Sequence, residues 1–273
     1  MSYRYRRSIV ALASLVALLM SAAAAAAFDE TKYPDLKGKW DRVGPPRWVQ
    51  AGQTAPLTPE YQKIFEWNTA DQKAGGHGWE PSWMCLPPGM PRIMNVFEPM
   101  EIVTTPSTTY ILISHIHDNR RIFTDGRDWP ADPEPSFKGY SIGKWIDEDG
   151  DGKYDVLEVE TRNFRGPRAF DNAGTPLHAD NQTVIKERIY RDKQNPDILH
   201  DEMTTIDNAL THPWTVLKSY RRTSNPHFVQ NICTVGNMHV QIGSEAYFLS
   251  ADGLLMPTKK NQAPPDLRYF KPN

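Results

Sequence analysis

The sequence predicts a mainly β protein whose strands form an antiparallel meander that closes into a barrel. Between residues 99 and 223, short runs of β-branched and aromatic residues alternate with turn signals such as Asp-Gly, Asn-Pro and Gly-Pro. No long helical pattern separates these runs, so we expect hairpins to join neighbouring strands. Eight strands fit a closed barrel, which has no exposed sheet edge. A sandwich of two sheets is the alternative.

The predicted barrel strands follow one another at short intervals. They are Glu101–Thr104, Thr109–His117, Arg120–Asp125, Gly139–Ile146, Val156–Phe164, Thr183–Asp192, Leu199–Asp207 and Trp214–Thr223. We expect two further short strands in the tail, at Val240–Ile242 and Ala246–Leu249. Several strands carry apolar residues on both faces, so the pattern leaves open which face points inward.

Residues 1–27 have the features of a secretory signal peptide. Three arginines lie near the start, Ile9–Met20 is a short apolar stretch, and Ala22–Ala27 supplies the small residues that signal peptidases require. The apolar stretch is too short for a membrane span. We therefore expect a periplasmic or secreted protein with no membrane span after the leader is removed. Arg6-Arg7 also resembles part of a twin-arginine signal, so the export route stays open.

Residues 28–98 are predicted to be an irregular, Pro-rich segment that packs on the barrel. This segment contains one expected helix. Thr58 is a good cap, Pro59 suits the first helical position and Glu60 places an acid in the first turn, so the helix should run to about Lys73. Residues 99–273 are predicted to form the barrel domain with a C-terminal extension.

The composition limits the possible functions. The chain has 31 Lys and Arg against 33 Asp and Glu, a formal net charge of −2. Because nucleic-acid binding needs a basic excess, we expect no nucleic-acid partner. A mean hydropathy of −0.58 excludes a polytopic membrane protein. Eight Trp, eleven Tyr and ten Phe supply an aromatic core or pocket, which favours an apolar or aromatic small molecule as the ligand.

The chain has two cysteines, Cys85 and Cys233. In an oxidising compartment an even pair is most simply one disulfide. It would connect the N-terminal irregular segment to the C-terminal extension. Two free buried thiols are the alternative.

Several strings, taken in order, resemble a group of uncharacterised secreted bacterial proteins with a lipocalin-like (calycin-like) β-barrel. The strings are Cys85–Arg92, Arg120–Arg127, Gly139–Trp145, Glu187-Arg188, Thr205–Asp207 and Pro213-Trp214. Gly38-Lys39-Trp40 also resembles the first-strand signature of lipocalins. The resemblance implies a lipocalin-like barrel and supplies no catalytic residues. This chain departs from the group at 147–155, where a longer acidic loop replaces a short hairpin turn.

That acidic loop matches the calcium-loop pattern D-x-D-x-D-G-x5-E. The candidate metal-ligand positions are Asp147, Asp149, Asp151, Lys153, Asp155 and Glu158. Because both flanks are predicted strands, the loop would lie at a hairpin tip and the calcium ion would be structural. The alternative is a solvated acidic turn whose Asp and Gly residues suit the turn geometry.

A second candidate metal site contains His115 and His117. Residues two apart on a strand point to the same side, so both imidazoles could bind one transition metal such as zinc, copper or iron. His178, Glu187 and His212 are candidate third ligands, although no fixed spacing selects one of them. A polar outer strand face is the alternative.

Carboxylates, a histidine and arginines inside the barrel could perform acid–base chemistry on a bound molecule. The candidate catalytic residues are Asp125, Arg127, His178, Glu187 and Asp207, and the candidate ligand-binding residues are Arg121, Trp145 and Trp214. The same residues could be structural, with Arg127 capping a turn and Glu187 paired with Arg121 across strands.

Three functions remain open from the sequence. The chain could act on an apolar or aromatic small molecule by a lyase, dehydratase or isomerase step. It could carry such a molecule without changing it, or it could be a calcium-stabilised structural protein of the envelope. A pocket with convergent charged groups would favour the enzyme, and a wholly apolar pocket would favour the carrier.

Overall fold

Nine strands close into a β-barrel in the computed structural model, which describes residues 28–265 apart from 46, 49–51, 97, 116–118, 226, 229–232, 234–238 and 251. The predicted signal peptide therefore lies outside the described residues. The barrel strands are β1 (Lys39–Arg42), β2 (Met100–Thr104), β3 (Thr108–Ile113), β4 (Arg120–Phe123), β5 (Tyr140–Ile146), β6 (Val156–Arg162), β7 (Val184–Arg191), β8 (Ile198–Ile206) and β9 (Trp214–Thr223). The prediction of a mainly β protein with a closed barrel is confirmed.

The barrel is a meander in which each strand pairs with the next one along the chain. All these pairs are antiparallel except β4 with β5, which is parallel and joins only Ile122 to Ser141 and Phe123 to Ile142. The parallel direction follows from the long connection over residues 124–139, which returns the chain to the same end of the barrel. Strand β1 closes the barrel because it pairs with both β2 and β9.

Burial alternates along the strands, which settles the inward face that the sequence left open. On β9, Trp214, Val216, Lys218 and Tyr220 are buried, whereas the residues between them are half-buried or exposed. The period of two is that of a pleated strand with one face in the core. Large apolar side chains fill much of the interior. They include Trp40, Ile111, Ile122, Leu157, Ile185, Leu199 and Met203.

The N-terminal segment contains the predicted helix, α1 (Pro59–Lys73). The Thr58 hydroxyl accepts a hydrogen bond from the Tyr61 N–H, and Pro59 lies in the first turn of the helix, as expected for a capped helix start. Tyr61 and Asn68 are its buried residues, and the Asn68 amide donates to the Gly174 carbonyl at 2.6 Å. Short 3-10 helices cover Glu30–Lys32, Pro81–Met84 and Arg92–Asn95.

The C-terminal extension forms a separate three-stranded sheet of β10 (His239–Ile242), β11 (Glu245–Leu249) and β12 (Leu255–Pro257). A disulfide joins Cys85 to Cys233 with a Cα–Cα distance of 5.5 Å, which confirms the predicted pairing. Lys259 reinforces the attachment, because its ammonium lies 2.6 Å from Asp71 Oδ1 on α1 and 2.7 Å from Glu245 Oε2 on β11. The extension is thereby tied to the N-terminal segment.

In the described part of the chain, no helix combines the length and apolar character needed to span a bilayer.

Candidate functional site

A groove of about 840 Å³ lies outside the barrel, between four segments of the chain. We call it the helix groove. The walls are the face of α1, the segment of Gly78 and Trp79 that follows it, the loop over residues 166–181, and the turn between β10 and β11. The lining residues include Tyr61, Ile64, Trp67, Trp79, Leu177 and Ser244. Trp67 and Trp79 are 45% and 47% exposed, so two large aromatic side chains are available to a ligand.

Arg168 gives the helix groove one buried cation. Its guanidinium donates to the Met90 carbonyl at 2.9 Å and to the Thr183 hydroxyl at 2.9 Å, and it lies 4.1 Å from the Phe164 ring centroid. Burial lowers the pKa of Arg168 to about 10, so it remains charged at neutral pH. Among the described residues, its Nε has no hydrogen-bond partner.

His178 also lines the groove, and an adjacent acid positions its ring. Asp180 Oδ2 lies 3.0 Å from His178 Nδ1, and the Asp180 N–H donates to the same nitrogen at 3.2 Å. The ring packs against Tyr61 with a centroid distance of 5.1 Å. In the described part of the chain Nε2 has no hydrogen-bond partner, so this nitrogen is free to contact a ligand.

Asp207 positions the loop that carries His178. Its Oδ1 accepts from the backbone N–H of His178 and from that of Ala209, both at 2.9 Å, and its Oδ2 accepts from the Thr183 hydroxyl at 2.6 Å. The predicted residues His178 and Asp207 therefore lie together. The groove itself was not predicted, because its four walls meet only in the folded chain.

The barrel interior contains a polar cluster of a different kind. We call Arg120, Glu187, Asp201, Lys218 and Tyr220 the interior cluster, and all five are buried. Arg120 binds Glu187 through two parallel hydrogen bonds, Nη1 to Oε1 at 2.8 Å and Nη2 to Oε2 at 2.7 Å. Such a bidentate pair satisfies both charges in the low-dielectric interior. The predicted pairing of Glu187 with Arg121 is wrong, because Arg121 lies on the opposite, exposed face of β4.

Of the interior cluster only Glu187 was predicted as a site residue, and Asp201 is the unpredicted member that has no partner in the described part of the chain. It is fully buried, and neither carboxylate oxygen has a hydrogen-bond partner among the described residues. Burial, together with the negative charge of Glu187, raises its pKa well above the usual value of 3.8. Burial, with the charges of Asp201 and Glu187, likewise raises the pKa of Tyr220.

Lys218 occupies the position on β9 that pairs with Asp201 on β8. Its ammonium donates to the Pro45 carbonyl at 3.3 Å and lies 5.7 Å from the Trp48 ring centroid. Burial, and then the charge of Arg42, lower its pKa to about 7. Burial therefore disfavours the charged forms of both Asp201 and Lys218, which occupy paired positions.

The remaining predicted site residues lie apart from both regions. Asp125 and Arg127 form an ion pair in an exposed turn, with Arg127 Nη2 2.6 Å from Asp125 Oδ2, so they are not inside the barrel as predicted. Trp145 is buried with its ring 5.4 Å from that of Tyr33. Trp214 packs on Phe170 with a centroid distance of 5.1 Å. The structure does not assemble these residues with His178 and Glu187 into one site.

The acidic loop brings three of its predicted ligands together. One carboxylate oxygen from each of Asp147, Asp149 and Asp151 lies within 4.8 Å of the others. Asp155 accepts from the Glu148 N–H at 2.9 Å, whereas Glu158 Oε1 lies 3.7 Å from Arg188 Nε. Lys153 is exposed. Oxygen ligands of this kind suit a hard cation such as Ca²⁺.

The second predicted metal pair cannot be assembled from the described residues, because His117 lies outside them. His115 is buried, and its Nδ1 lies 2.7 Å from Glu98 Oε1. The transition-metal site remains a prediction.

The fold and these two regions define the class of the protein as a closed β-barrel with an external groove, and the barrel fits a lipocalin-like fold in general. No protein-family model matches the chain, and the comparison with curated proteins finds no match.

Proposed function

We propose that the protein binds an apolar or aromatic small molecule in the helix groove. The observation that carries the proposal is the groove itself, with about 840 Å³ of space beside exposed Trp67 and Trp79. Binding sites for small molecules are concave, mainly apolar, and commonly between about 300 and 1,000 Å³. Covering the two indole rings with a ligand would remove apolar surface from water, at about 25 cal/mol per Å².

The polar groups of the groove favour a ligand that carries a hydrogen-bond acceptor. Arg168 is a buried donor at the wall, and His178 lines the same groove. A few fixed polar groups in an apolar site orient a ligand more than they strengthen its binding. The ligand class is therefore an apolar or aromatic body with one oxygen acceptor.

Titration with N-phenyl-1-naphthylamine, whose fluorescence rises in apolar surroundings, tests the groove. We expect saturable binding to the wild type and at least tenfold weaker binding to Trp67→Ala, because that substitution removes an aromatic wall. Trp129→Ala is the matched control, since Trp129 packs on Tyr140 and Arg162 away from the groove. Equal binding by all three proteins would refute the proposal.

An acid–base step on the bound molecule, of the lyase, dehydratase or isomerase type, is the second candidate function. It is supported by His178, which lines the groove with Asp180 Oδ2 3.0 Å from its Nδ1. An imidazole whose one nitrogen faces a carboxylate is a common general acid or base. Exchange of the α-protons of 2-tetralone in D₂O, followed by NMR, should be accelerated by the wild type and not by His178→Gln. If both proteins bind 2-tetralone and neither accelerates the exchange, the acid–base function is excluded and the carrier function remains.

We also propose that the acidic loop binds calcium as a structural ion. The three converging carboxylates of Asp147, Asp149 and Asp151 support this proposal. The loop also contacts the N-terminal segment, because the Tyr154 N–H donates to the Lys32 carbonyl at 2.7 Å. The ion would stabilise the loop against this segment. The disulfide supports our further proposal of a periplasmic or secreted location.

A further inference from the structure

A chain of hydrogen bonds links a serine, a histidine and an aspartate on the outer surface of the barrel. His200 on β8 and Ser219 on β9 are register partners, and His200 Nδ1 lies 2.9 Å from Ser219 Oγ. The other ring nitrogen, Nε2, lies 3.1 Å from Oδ2 of Asp192, which follows β7. Ser219 and His200 point outward, because the alternating neighbours Asp201 and Lys218 are buried in the interior.

The hydrogen bonds fix the proton positions that a nucleophilic serine needs. Asp192 Oδ1 accepts from the backbone N–H groups of Gln194 at 2.9 Å and Asn195 at 2.7 Å, which hold the carboxylate in place. The hydrogen bond from His200, with these backbone donors, lowers the pKa of Asp192, so it is ionised. An ionised Asp192 accepts the Nε2 proton, and Nδ1 is then the acceptor for the Ser219 hydroxyl.

This arrangement distinguishes His200 from other histidines in the described part of the chain. In His178 the acid and the backbone donor both meet Nδ1, and no hydroxyl meets Nε2. At His200, one ring nitrogen faces the Ser219 hydroxyl and the other faces the Asp192 carboxylate. This is the arrangement of a nucleophile, a general base and an acid that orients the base. All three side chains are partly accessible to solvent.

We propose that Ser219, His200 and Asp192 form a catalytic triad that hydrolyses small carboxylic esters. The surroundings of Ser219 indicate this substrate class. Leu217, two residues before it on the same face of β9, is 45% exposed, and Val43, whose N–H donates to the Ser219 carbonyl at 2.9 Å, is 38% exposed. These side chains offer contact for a short acyl group. Arg221, two residues after Ser219 on the same face, is exposed and is the candidate for stabilising the oxyanion.

The reaction balances with water as the only co-reactant. Ser219 Oγ bonds to the ester carbonyl carbon while its proton passes to His200 Nδ1. The bond from that carbon to the alkoxy oxygen breaks, and the leaving group takes the proton from His200 and departs as an alcohol. Water then adds to the acyl-serine and gives a proton to His200. Finally the carbon–Oγ bond breaks, the carboxylic acid leaves, and Ser219 regains its proton.

Hydrolysis of p-nitrophenyl acetate by the full-length protein tests the triad. We expect Ser219→Ala and His200→Gln to lower the enzymatic rate at least a hundredfold, and Asp192→Asn to lower it at least tenfold. Ser107→Ala is the control, because Ser107 is exposed in the turn between β2 and β3 and contacts no histidine. Its rate should equal that of the wild type.

Covalent labelling gives a readout that does not depend on turnover. Diisopropyl fluorophosphate should add one group, found on Ser219 by peptide mass spectrometry, and the adduct should be absent in His200→Gln. Equal hydrolysis by wild type and Ser219→Ala, or an unlabelled Ser219, would overturn the proposal. Neither experiment uses the helix groove, so failure of the triad and failure of the groove as a binding site are distinguishable.

Discussion

Replacing the buried carboxyl of Asp201 with an amide, in Asp201→Asn, tests whether the interior cluster contains a protonated acid. A neutral carboxylic acid and an amide have nearly the same shape, and neither has a net charge. The variant should therefore fold like the wild type and remove a single titration. The diagnostic effect is a change in how the free energy of unfolding depends on pH, on top of any fixed loss of stability.

The sign follows from the raised pKa of Asp201 in the folded state. Below the unfolded-state value near 3.8, both states hold the proton and the carboxyl has no pH-dependent effect. As the pH rises above that value, the unfolded state releases the proton while the folded state keeps it. The wild type should then lose about 1.4 kcal/mol of stability per pH unit relative to the variant, until the native carboxyl ionises. The buried amide adds a constant cost of about 1–3 kcal/mol where it lacks partners.

Urea unfolding of both proteins at pH 4 to 8 measures this difference. We expect Asp201→Asn to be the less stable protein near pH 4 and to gain on the wild type at each higher pH. Asp132→Asn is the control, because Asp132 is exposed in the connection between β4 and β5 and should show no such trend. A stability difference that stays constant from pH 4 to 8 would refute the reasoning, since it would mean that Asp201 is ionised and paired.

Three further predictions concern other parts of the chain. Calcium should raise the melting temperature of the wild type and a chelator should lower it, whereas the melting temperature of Asp149→Asn should respond to neither. Calorimetry measures these shifts, and equal shifts in both proteins would contradict the prediction. Lys218→Met should gain stability relative to the wild type as the pH falls from about 10 to about 7. In this range the unfolded wild type takes up a proton at Lys218, whereas the folded wild type does not, because burial lowers the pKa of Lys218. Guanidinium unfolding at several pH values measures the difference, and parallel pH curves for the two proteins would contradict the prediction. The double substitution Cys85→Ser with Cys233→Ser opens a loop of 148 residues and should lower the free energy of unfolding by about 4–5 kcal/mol in the chain-entropy model. Urea unfolding measures this loss, and an unchanged midpoint would contradict it.

The barrel strands could be predicted because each one carries enough β-branched and aromatic residues to be recognised alone. Strand β1 could not, since Lys39–Arg42 is only four residues long and its pairing with β2 and β9 joins distant parts of the chain. Its residues did resemble a lipocalin first strand, which was the available signal. The parallel pairing of β4 with β5 was missed because it depends on the path of a long connection and not on the composition of either strand.

The interior cluster shows why site residues are harder to predict than strands. Arg120 and Arg121 are adjacent and chemically alike, but a shift of one residue decides which of them meets Glu187. On β8, the sequence around Asp201 has apolar residues at Ile198, Leu199 and Met203, so both faces resemble a core face. Only closure of the barrel selects the face that buries Asp201.

The two regions are built in opposite ways, and this difference bears on function. The interior cluster is held by nine hydrogen-bonded strands and is buried among large apolar side chains, so its charges belong to the rigid part of the fold. The helix groove instead meets the three-stranded sheet, which among the described residues pairs with no barrel strand. This sheet is attached through the disulfide, through Lys259 on Asp71, and through the ring of His239 beside those of His77 and Trp83. A wall attached at a few points can adjust to a ligand at a lower cost than a barrel strand can. If the groove binds the proposed ligand, its wall can therefore adapt to that ligand while the barrel keeps its geometry.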